Sequence, residues 1–305
     1  MNNYLSKILE TDKEHHLLFN LFFTEYKFEI DYSSIDYNRL FVLIVKKHRI
    51  VNYFFDKADL SLFPQKFVEK LKKARIRQKQ RALQQLSILL ELKEILANFD
   101  FIVLKGLPLS QQLYNDFAYR DSNDVDILIQ AKDEKEILNV LQKKDFETSH
   151  NQEHHFVLKK YNISIEIHRK LNEFFDTKKI EADSFKNIET ITIQNNIFNV
   201  LNKKDQYDYL LMNGFIHHWS RLSWVIDFIN LSNNSYKNDK LSTLFRNTFF
   251  SDDRSFESGF ISKSILIPQK ETFVLKFKRS IYLAKISENT FIFSIYKSFL
   301  RMLYK

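Results

Sequence analysis

The stretch LKGLPLSQQLYNDFAYRDSNDVDILI, residues 104–129, carries two aspartates inside an apolar run. These are Asp124 and Asp126, one residue apart. In a β-strand, side chains at i and i+2 point to the same face, so the two carboxylates would lie together while Val125 and Ile127 point into a core. Two like charges this close repel each other in a low-dielectric site. A divalent cation would remove that cost, and hard oxygen ligands suit Mg²⁺ or Mn²⁺ rather than zinc.

A third acid occurs in ISIEIH, residues 163–168. Alternation places Glu166 and His168 on one face of this predicted strand and the isoleucines on the other. If the strand lies beside DVDILI, three acids share one face of a sheet, which is a layout suited to in-line displacement at phosphorus. The residues therefore predict Asp124, Asp126 and Glu166 as both catalytic residues and metal ligands.

An anion site is predicted just upstream, where a strand ending near Lys105 meets a helix that begins after Gly106. Glycine allows close backbone approach, and free N–H groups at a helix start favour phosphate. Lys105 would add a point charge and Arg120 a forked one. His168 would either orient a carboxylate or contact the substrate. The candidates for nucleotide and phosphate binding are Lys105, Gly106, Arg120 and His168.

The pattern along the chain predicts an α+β fold: a small mixed sheet flanked by helical regions. Three regions are expected, a helical one at 1–98, an α/β core at 99–172 and a mainly helical one at 173–305. The core is expected to contain strands at 101–105 and 124–130, a helix at 132–146, and a hairpin of residues 154–161 and 163–171 that turns at Tyr161-Asn162. Residues 232–268 read as polar and irregular. Trp219 lies on a predicted helix, where core packing is favoured over stacking on a nucleobase.

Composition limits the chemistry that the 305 residues can perform. The absence of cysteine excludes disulfides, thiolate metal sites and cysteine nucleophiles. The net charge of +8 is concentrated in residues 66–81 and 270–305. Each stretch is either a solvated helix face or a surface for a polyanion such as RNA or anionic lipid. The sequence shows neither a signal-peptide pattern nor an apolar run long enough to span a bilayer, so a cytoplasmic protein is expected.

These residues together resemble the polymerase-β-like nucleotidyltransferase superfamily, and within it a group of uncharacterised bacterial nucleotidyltransferases. The matching motifs are Leu104-Lys105-Gly106, Tyr114, Arg120, Asp124-Val125-Asp126-Ile127-Leu128 and Glu166-Ile167-His168. The likeness covers roughly residues 39–230. It implies that Asp124, Asp126 and Glu166 bind Mg²⁺ or Mn²⁺, and that an NMP group moves from an NTP such as ATP to an acceptor hydroxyl. The wider superfamily has Gly-Gly or Gly-Ser at the turn, whereas Leu107 follows Gly106 here.

Several alternatives remain open at the level of sequence. The acceptor is a small molecule, a tRNA or a protein, and the two basic stretches are candidate RNA contacts. A different class of function is a catalytically inactive nucleotidyltransferase fold that binds a nucleotide or a partner. A third possibility is that the basic end of the chain, within residues 270–305, docks on a membrane surface. The oligomeric state is not indicated by the sequence.

Overall fold

A computed structural model describes residues 12–22, 29–151, 155–171, 181, 183–232 and 240–250. The chain divides into two compact units. The sheet unit is Arg75–Tyr209, and the helical unit consists of the described residues within Met1–Ala74 and Leu210–Lys305. The basic stretch 270–305 and the predicted strand residue His154 lie outside the described residues.

The N-terminal part of the helical unit consists of short helices followed by the start of a long one. They are α1 (Lys13–Phe22), α2 (Tyr37–Val42), α3 (Val51–Lys57) and α4 (Gln65–Ile95). The Asp36 carboxylate accepts hydrogen bonds from the N–H groups of Asn38 and Arg39, which satisfies donors that the start of α2 leaves open. The rings of Phe54, Phe63 and Phe67 pack with centroids 5.2–6.2 Å apart and form an aromatic core.

Helix α4 is 31 residues long and carries the basic stretch 66–81. Its buried positions recur every three or four residues, at Phe67, Leu71, Ala74, Gln78 and Ala82, so one side of the helix faces protein. Seven of the eight Lys and Arg side chains in the stretch are exposed on the other side. The helical pattern predicted for this segment is confirmed, and most of its cations are exposed.

A seven-stranded mixed sheet organises the described part of the sheet unit. Its strands are β1 (Phe101–Val103), β2 (Asp124–Ile129), β3 (Glu147–Asn151), β4 (His155–Lys160), β5 (Ile163–His168), β6 (Glu189–Ile193) and β7 (Asn196–Val200). The order across the sheet is β3-β4-β5-β2-β1-β7-β6. β2 pairs in parallel with β5, and β1 in parallel with β7, while the other neighbours are antiparallel. The predicted α+β fold is confirmed.

Alternation within β2 and β5 sends isoleucine and valine into the core. Val125, Ile127, Ile165 and Ile167 are at most 4% exposed. Burying one such side chain contributes roughly 1.5–3 kcal/mol, so this face fixes the register of both strands. Phe156 and Leu158 of β4 extend the same apolar cluster and are fully buried. The alternation therefore also fixes which side chains point to the opposite face, and these include the acids.

Two hairpins in the sheet turn at pairs of residues with positive φ. The predicted turn at Tyr161 and Asn162 is confirmed, with φ of 50° and 62°. A second hairpin joins β6 to β7 through Gln194 and Asn195, with φ of 48° and 63°. Positive φ at both central residues matches the right-handed twist of hairpin strands.

The three-region division of the chain stays a prediction, but β6 and β7 add two strands from the region expected to be mainly helical.

Helix α5 (Leu107–Tyr114) follows β1, and α6 (Glu134–Gln142) follows β2, where the sequence predicts helices. Among the described residues after the sheet there are three further helices: α7 (Lys203–Ile216), α8 (Leu222–Ser232) and α9 (Lys240–Phe250). The pattern of residues 204–232 predicted α7 and α8, whereas α9 occurs where irregular structure was expected. Packing explains it, because Phe245 and Phe249 contact the Trp219 ring. Trp219 is 1% exposed and belongs to the core.

None of the helices in the described part of the chain combines the length and the apolar character needed to cross a bilayer.

Candidate active site

The site is built on two neighbouring parallel strands, β2 and β5. Their register sets Asp124 beside Ser164, Asp126 beside Glu166 and Leu128 beside His168. Residues in register on adjacent strands point to the same face, so the carboxylates of Asp126 and Glu166 are direct neighbours. The hydrophobic alternation that buries Val125 and Ile165 on one face places these acids together on the other.

Asp126 is the buried centre of the site, with 1% of its surface exposed. Its Oδ1 lies 3.2 Å from Lys105 Nζ and 3.2 Å from His168 Nε2. Its Oδ2 is also buried and has no hydrogen-bond partner among the described residues. A buried carboxylate oxygen without a partner is costly and uncommon in folded proteins. This oxygen is therefore the strongest structural indication that another group binds here.

Lys105 supplies the positive charge at the site, from a position two residues beyond β1. Leu104 donates its N–H to the backbone oxygen of Asp126 at 3.0 Å, which extends the β1–β2 pairing to the lysine. Burial alone lowers the pKa of Lys105, but the negative charge of Asp126, and also those of Asp124 and Glu166, raise the pKa well above its ordinary value. The lysine is therefore firmly protonated beside the acids.

Glu166 and His168 are coupled to each other and to Asp126. His168 Nε2 lies 3.5 Å from Glu166 Oε2, and the Glu166 side chain is 29% exposed, so it reaches the outer edge of the site. Burial raises the pKa of Glu166, but the hydrogen bond with His168 and the charge of Lys105 lower it below its usual value overall. Burial lowers the pKa of His168, but hydrogen bonds to Asp126 and Glu166 raise it by more. The pKa therefore lies above its ordinary value. The ring of His155 stacks on His168 with centroids 5.2 Å apart.

Asp124 lies on the same strand face as Asp126 but has a different immediate neighbour. Ser122 Oγ lies 3.0 Å from both Asp124 Oδ1 and the Asp124 backbone oxygen, and donates to them. Gln85 of α4 donates from Nε2 to the same backbone oxygen at 3.2 Å. A tighter group is formed by Asp126, Glu166 and His168, which have ligand atoms within 4.8 Å of one another. Asp124 is outside that group, so its role as a metal ligand stays a prediction.

Gly106 forms the predicted junction between β1 and α5. It has φ of 72° and ψ of −126°, a conformation that residues with a side chain strongly disfavour. A Cβ placed here would meet Ser122 Oγ at 3.7 Å, an ordinary contact, so conformation rather than space requires glycine. Its carbonyl accepts the N–H of Ser110 at 3.0 Å and starts the helix. Pro108, in the first turn, has no N–H to offer, which reduces the donors available to an anion.

Arg120 lies in the connection between α5 and β2. Its backbone N–H donates to Ser110 Oγ at 2.9 Å, and the residue is 7% exposed. The guanidinium is thus largely inside the protein, whereas Lys105 is placed beside the acids. The phosphate-binding roles of Lys105, Gly106 and Arg120 stay predictions.

Sequence reasoning missed several side chains that support the site, among them Gln85, Ser122, Gln206 and Tyr209. Ser122 had a local indication, since it precedes Asp124 by two residues. Gln206 and Tyr209 of α7 had none, because they lie about a hundred residues after β1 in the chain. Gln206 Nε2 donates to the Leu104 backbone oxygen at 3.2 Å and holds the segment that carries Lys105. Tyr209 is 3% exposed, and burial raises the pKa of its phenol well above its ordinary value.

The mixed sheet with acids on adjacent strands is consistent with a nucleotidyltransferase-like α+β fold. A protein-family model described as "Uncharacterised nucleotidyltransferase" matches residues 34–248, well over half of the chain. The chain therefore belongs to this nucleotidyltransferase family, and the resemblance identified from the sequence motifs is confirmed. Comparison with curated proteins and with solved structures gave no significant match.

Proposed function

We propose that this protein transfers an NMP group from an NTP to an acceptor hydroxyl, with a divalent cation held at Asp126 and Glu166. Membership of a nucleotidyltransferase family supports the general reaction. The observation that carries the finer proposal is the buried Asp126 Oδ2, which has no protein partner in the described chain and lies on the strand beside Glu166. Nucleotidyl transfer requires a site of this kind, where phosphate charge is neutralised away from bulk water.

The donor atoms fit a divalent cation. Two carboxylates side by side offer hard oxygen ligands, and one of them has an oxygen that nothing in the described chain uses. Asp124, on the same strand face, is a further proposed ligand. When bound, such a cation neutralises phosphate charge and lowers the pKa of a hydroxyl. The expected cations are Mg²⁺ and Mn²⁺, and ATP is one candidate donor.

The chain's own groups have distinct roles in the proposed reaction. Lys105, held protonated next to Asp126, attracts the triphosphate, and the Gly106 backbone allows the phosphates to approach closely. Glu166 is kept ionised by His168 and Lys105, and it is the more exposed of the two neighbouring acids. It accepts the proton of the acceptor hydroxyl. The hydroxyl oxygen then bonds to the α-phosphorus, the bond from that phosphorus to the bridging oxygen breaks, and pyrophosphate leaves.

The exposed cations of α4 favour a polyanionic acceptor, so a tRNA is preferred to a small molecule or a protein. The exposed cations along this helix are Lys66, Lys70, Lys72, Lys73, Arg75, Arg77 and Lys79. Binding that depends on such cations releases counterions, so affinity falls steeply as salt rises. A measured RNA affinity that does not change between low and physiological salt would remove RNA as the preferred acceptor.

A cytoplasmic location stays a prediction.

The test of the proposed function is a transfer assay with each α-labelled NTP, Mg²⁺ or Mn²⁺, and a cell extract as the source of acceptor. Wild-type protein is expected to move label into one class of product, which identifies donor and acceptor together. Omission of the metal should abolish transfer. Absence of transfer with every nucleotide and both metals would reject the catalytic proposal and favour a nucleotide-binding protein without turnover.

A further inference from the structure

We propose that His168 is a direct metal ligand, and that the site consequently prefers a transition-metal ion such as Mn²⁺ to Mg²⁺. The inference rests on the proposed function, because it concerns the same cation site. It changes the ligand set from three acids to Asp126, Glu166 and His168, and it makes the imidazole a ligand of the ion itself.

The distances among the three side chains match those of ligands around one ion. His168 Nε2 is 3.2 Å from Asp126 Oδ1 and 3.5 Å from Glu166 Oε2. Two ligand atoms that each lie about 2.1 Å from an ion are roughly 3.0 Å apart at a right angle and roughly 3.4 Å apart in a tetrahedron. The three side chains therefore need only small rotations to share an ion.

The strands hold this geometry in place. Asp126 and Glu166 are in register on β2 and β5, and His168 follows Glu166 by two residues on the same face. Asp126 and His168 are both less than 10% exposed, so their side chains have little freedom to move away. When no ion is bound, the short contacts between His168 Nε2 and the two carboxylates are hydrogen bonds. A bound metal ion would replace the proton that these hydrogen bonds share.

An independent observation points to a ligand at the same place. Asp126 is 1% exposed, and its Oδ2 is buried with no hydrogen-bond partner among the described residues, although Oδ1 contacts both Lys105 and His168. Asp124, the other acid of β2, is instead hydrogen-bonded by Ser122. The open oxygen thus belongs to the acid that neighbours Glu166 and His168.

An imidazole in the ligand set alters the preference among divalent ions. Mg²⁺ binds through oxygen ligands and keeps much of its water, whereas imidazole nitrogen suits first-row transition metals. Affinity for a mixed nitrogen and oxygen site rises from Mn²⁺ to Co²⁺ along the series. A site of two carboxylates and one imidazole is therefore expected to bind Mn²⁺ more tightly than Mg²⁺.

The direct test uses the full-length wild-type protein loaded with Mn²⁺ alone. Electron spin echo envelope modulation detects a nitrogen bonded to Mn²⁺ through its ¹⁴N couplings. We expect couplings from one imidazole nitrogen. A spectrum with oxygen ligands alone would overturn the inference, and so would the absence of Mn²⁺ binding. Because this measurement needs no variant, it remains decisive if a substitution at His168 prevents folding.

Two histidine variants form a matched pair for calorimetric titration with Mn²⁺ and Mg²⁺. His168→Asn should lose the nitrogen couplings and weaken Mn²⁺ binding by about tenfold or more, while Mg²⁺ binding changes little. His155→Asn removes the ring that stacks on His168 and should keep the couplings, with Mn²⁺ affinity within about threefold of wild type. Couplings that persist in His168→Asn, or an equal loss of Mn²⁺ affinity in both variants, would contradict the assignment.

The failure of this inference is distinguishable from failure of the proposed function. If Mg²⁺ supports transfer that depends on Asp126, while Mn²⁺ shows no bound nitrogen, only the role of His168 is wrong. If no nucleotide is transferred with any metal, the proposed reaction is wrong, and bound nitrogen on Mn²⁺ would still establish the metal site.

Discussion

Two buried clusters of acids, one in each unit, use their carboxylates differently. In the helical unit, Glu14 is 4% exposed and both of its oxygens are engaged. Oε1 accepts the N–H of Asp36 at 2.8 Å, and Oε2 pairs with Arg39 Nη1 at 2.5 Å. In the sheet unit, Asp126 is as deeply buried, yet its Oδ2 has no hydrogen-bond partner in the described chain.

The second acid of the helical-unit cluster, Asp12, also has close partners. Asp12 pairs with Arg39 and with His15, whose Nδ1 lies 3.0 Å from Asp12 Oδ2. Burial raises the pKa of Asp12, but the hydrogen bonds and the charge of His15, together with a hydrogen bond from Arg39, lower it far below its usual value overall. The His15 ring meets His48 edge to face, with centroids 5.2 Å apart. These groups hold α1 to the start of α2.

The difference separates acids that maintain the fold from acids that serve a ligand. A buried carboxylate whose oxygens are all paired needs nothing more, and its loss weakens the fold. A buried carboxylate with an open oxygen, next to a second carboxylate, costs stability until a ligand arrives. Such unsatisfied groups are expected where function, rather than stability, has fixed the residues.

The largest expected effect comes from Asp126→Asn in the sheet unit. The amide keeps the shape and a hydrogen-bond acceptor for Lys105, so the fold should persist, but a neutral oxygen binds a divalent cation poorly. Transfer of labelled NMP is expected to fall by about a thousandfold or more. Circular dichroism and thermal melting would verify folding. Full activity of the folded Asp126→Asn variant would show that the Asp126 carboxylate is not needed for transfer, and the distinction between the two clusters would be wrong.

A smaller effect is expected from Gly106→Ala at the junction that carries Lys105. The φ of 72° and ψ of −126° strain any residue with a Cβ, at a cost of about 1–3 kcal/mol in the free energy of unfolding. Transfer should fall as well, because the backbone beside Lys105 must shift. Asn115 ends the same helix with φ of 53°, so Asn115→Gly is the control and should cost little. Equal denaturation midpoints for wild type and Gly106→Ala would contradict this account of the turn.

The reciprocal variant in the helical unit is Glu14→Gln, which should change stability and spare activity. The amide can still accept the N–H of Asp36 but loses the ion pair with Arg39, a side chain that is 45% exposed. The free energy of unfolding is expected to fall by about 1–2 kcal/mol. At a temperature where the variant remains folded, transfer should stay within about twofold of wild type. A large loss of transfer from the folded variant would remove the distinction between the clusters.

The smallest effect concerns pH and Lys47, which precedes His48 in the helical unit. Burial, and secondarily the charge of Arg221, lower the pKa of Lys47 to about 8 from 10.5. The folded state releases this proton at lower pH than the unfolded chain does, so stability should rise between about pH 8 and pH 10.5. The rise should be on the order of 1 kcal/mol for a partly exposed group. Denaturant titrations of Lys47→Gln should lack it, and an identical rise in wild type and variant would contradict the assignment.

The strands of the site were predictable because their chemistry is local. Alternation in DVDILI and ISIEIH defined two strands and one shared acidic face, and Tyr161-Asn162 defined a turn. The β6–β7 hairpin also had a local indication, since ETITI alternates and Gln194-Asn195 favours a turn, but the helical pattern on either side dominated the interpretation. Helix α9 was missed because its helical state depends on packing against Trp219, which no local pattern reveals.

The closest neighbours within the site were less predictable than its strands. Sequence spacing treats Asp124 and Asp126 as equivalent, yet Ser122 engages the first while Lys105 and His168 engage the second. Gln206 and Tyr209 reach the same region from α7 through tertiary packing, and nothing in their local sequence marks them. Side-chain partners of this kind depend on distances across the fold, which residue patterns do not contain.

The most direct test of the central claim is a crystal structure of the wild-type protein with Mn²⁺ and a non-hydrolysable NTP analogue, using the anomalous signal of manganese. The account predicts a manganese peak within about 2.3 Å of carboxylate oxygens of both Asp126 and Glu166, with the triphosphate beside Lys105. A fully occupied nucleotide with no manganese at these two acids would contradict it, and so would a Glu166 carboxylate directed away from Asp126.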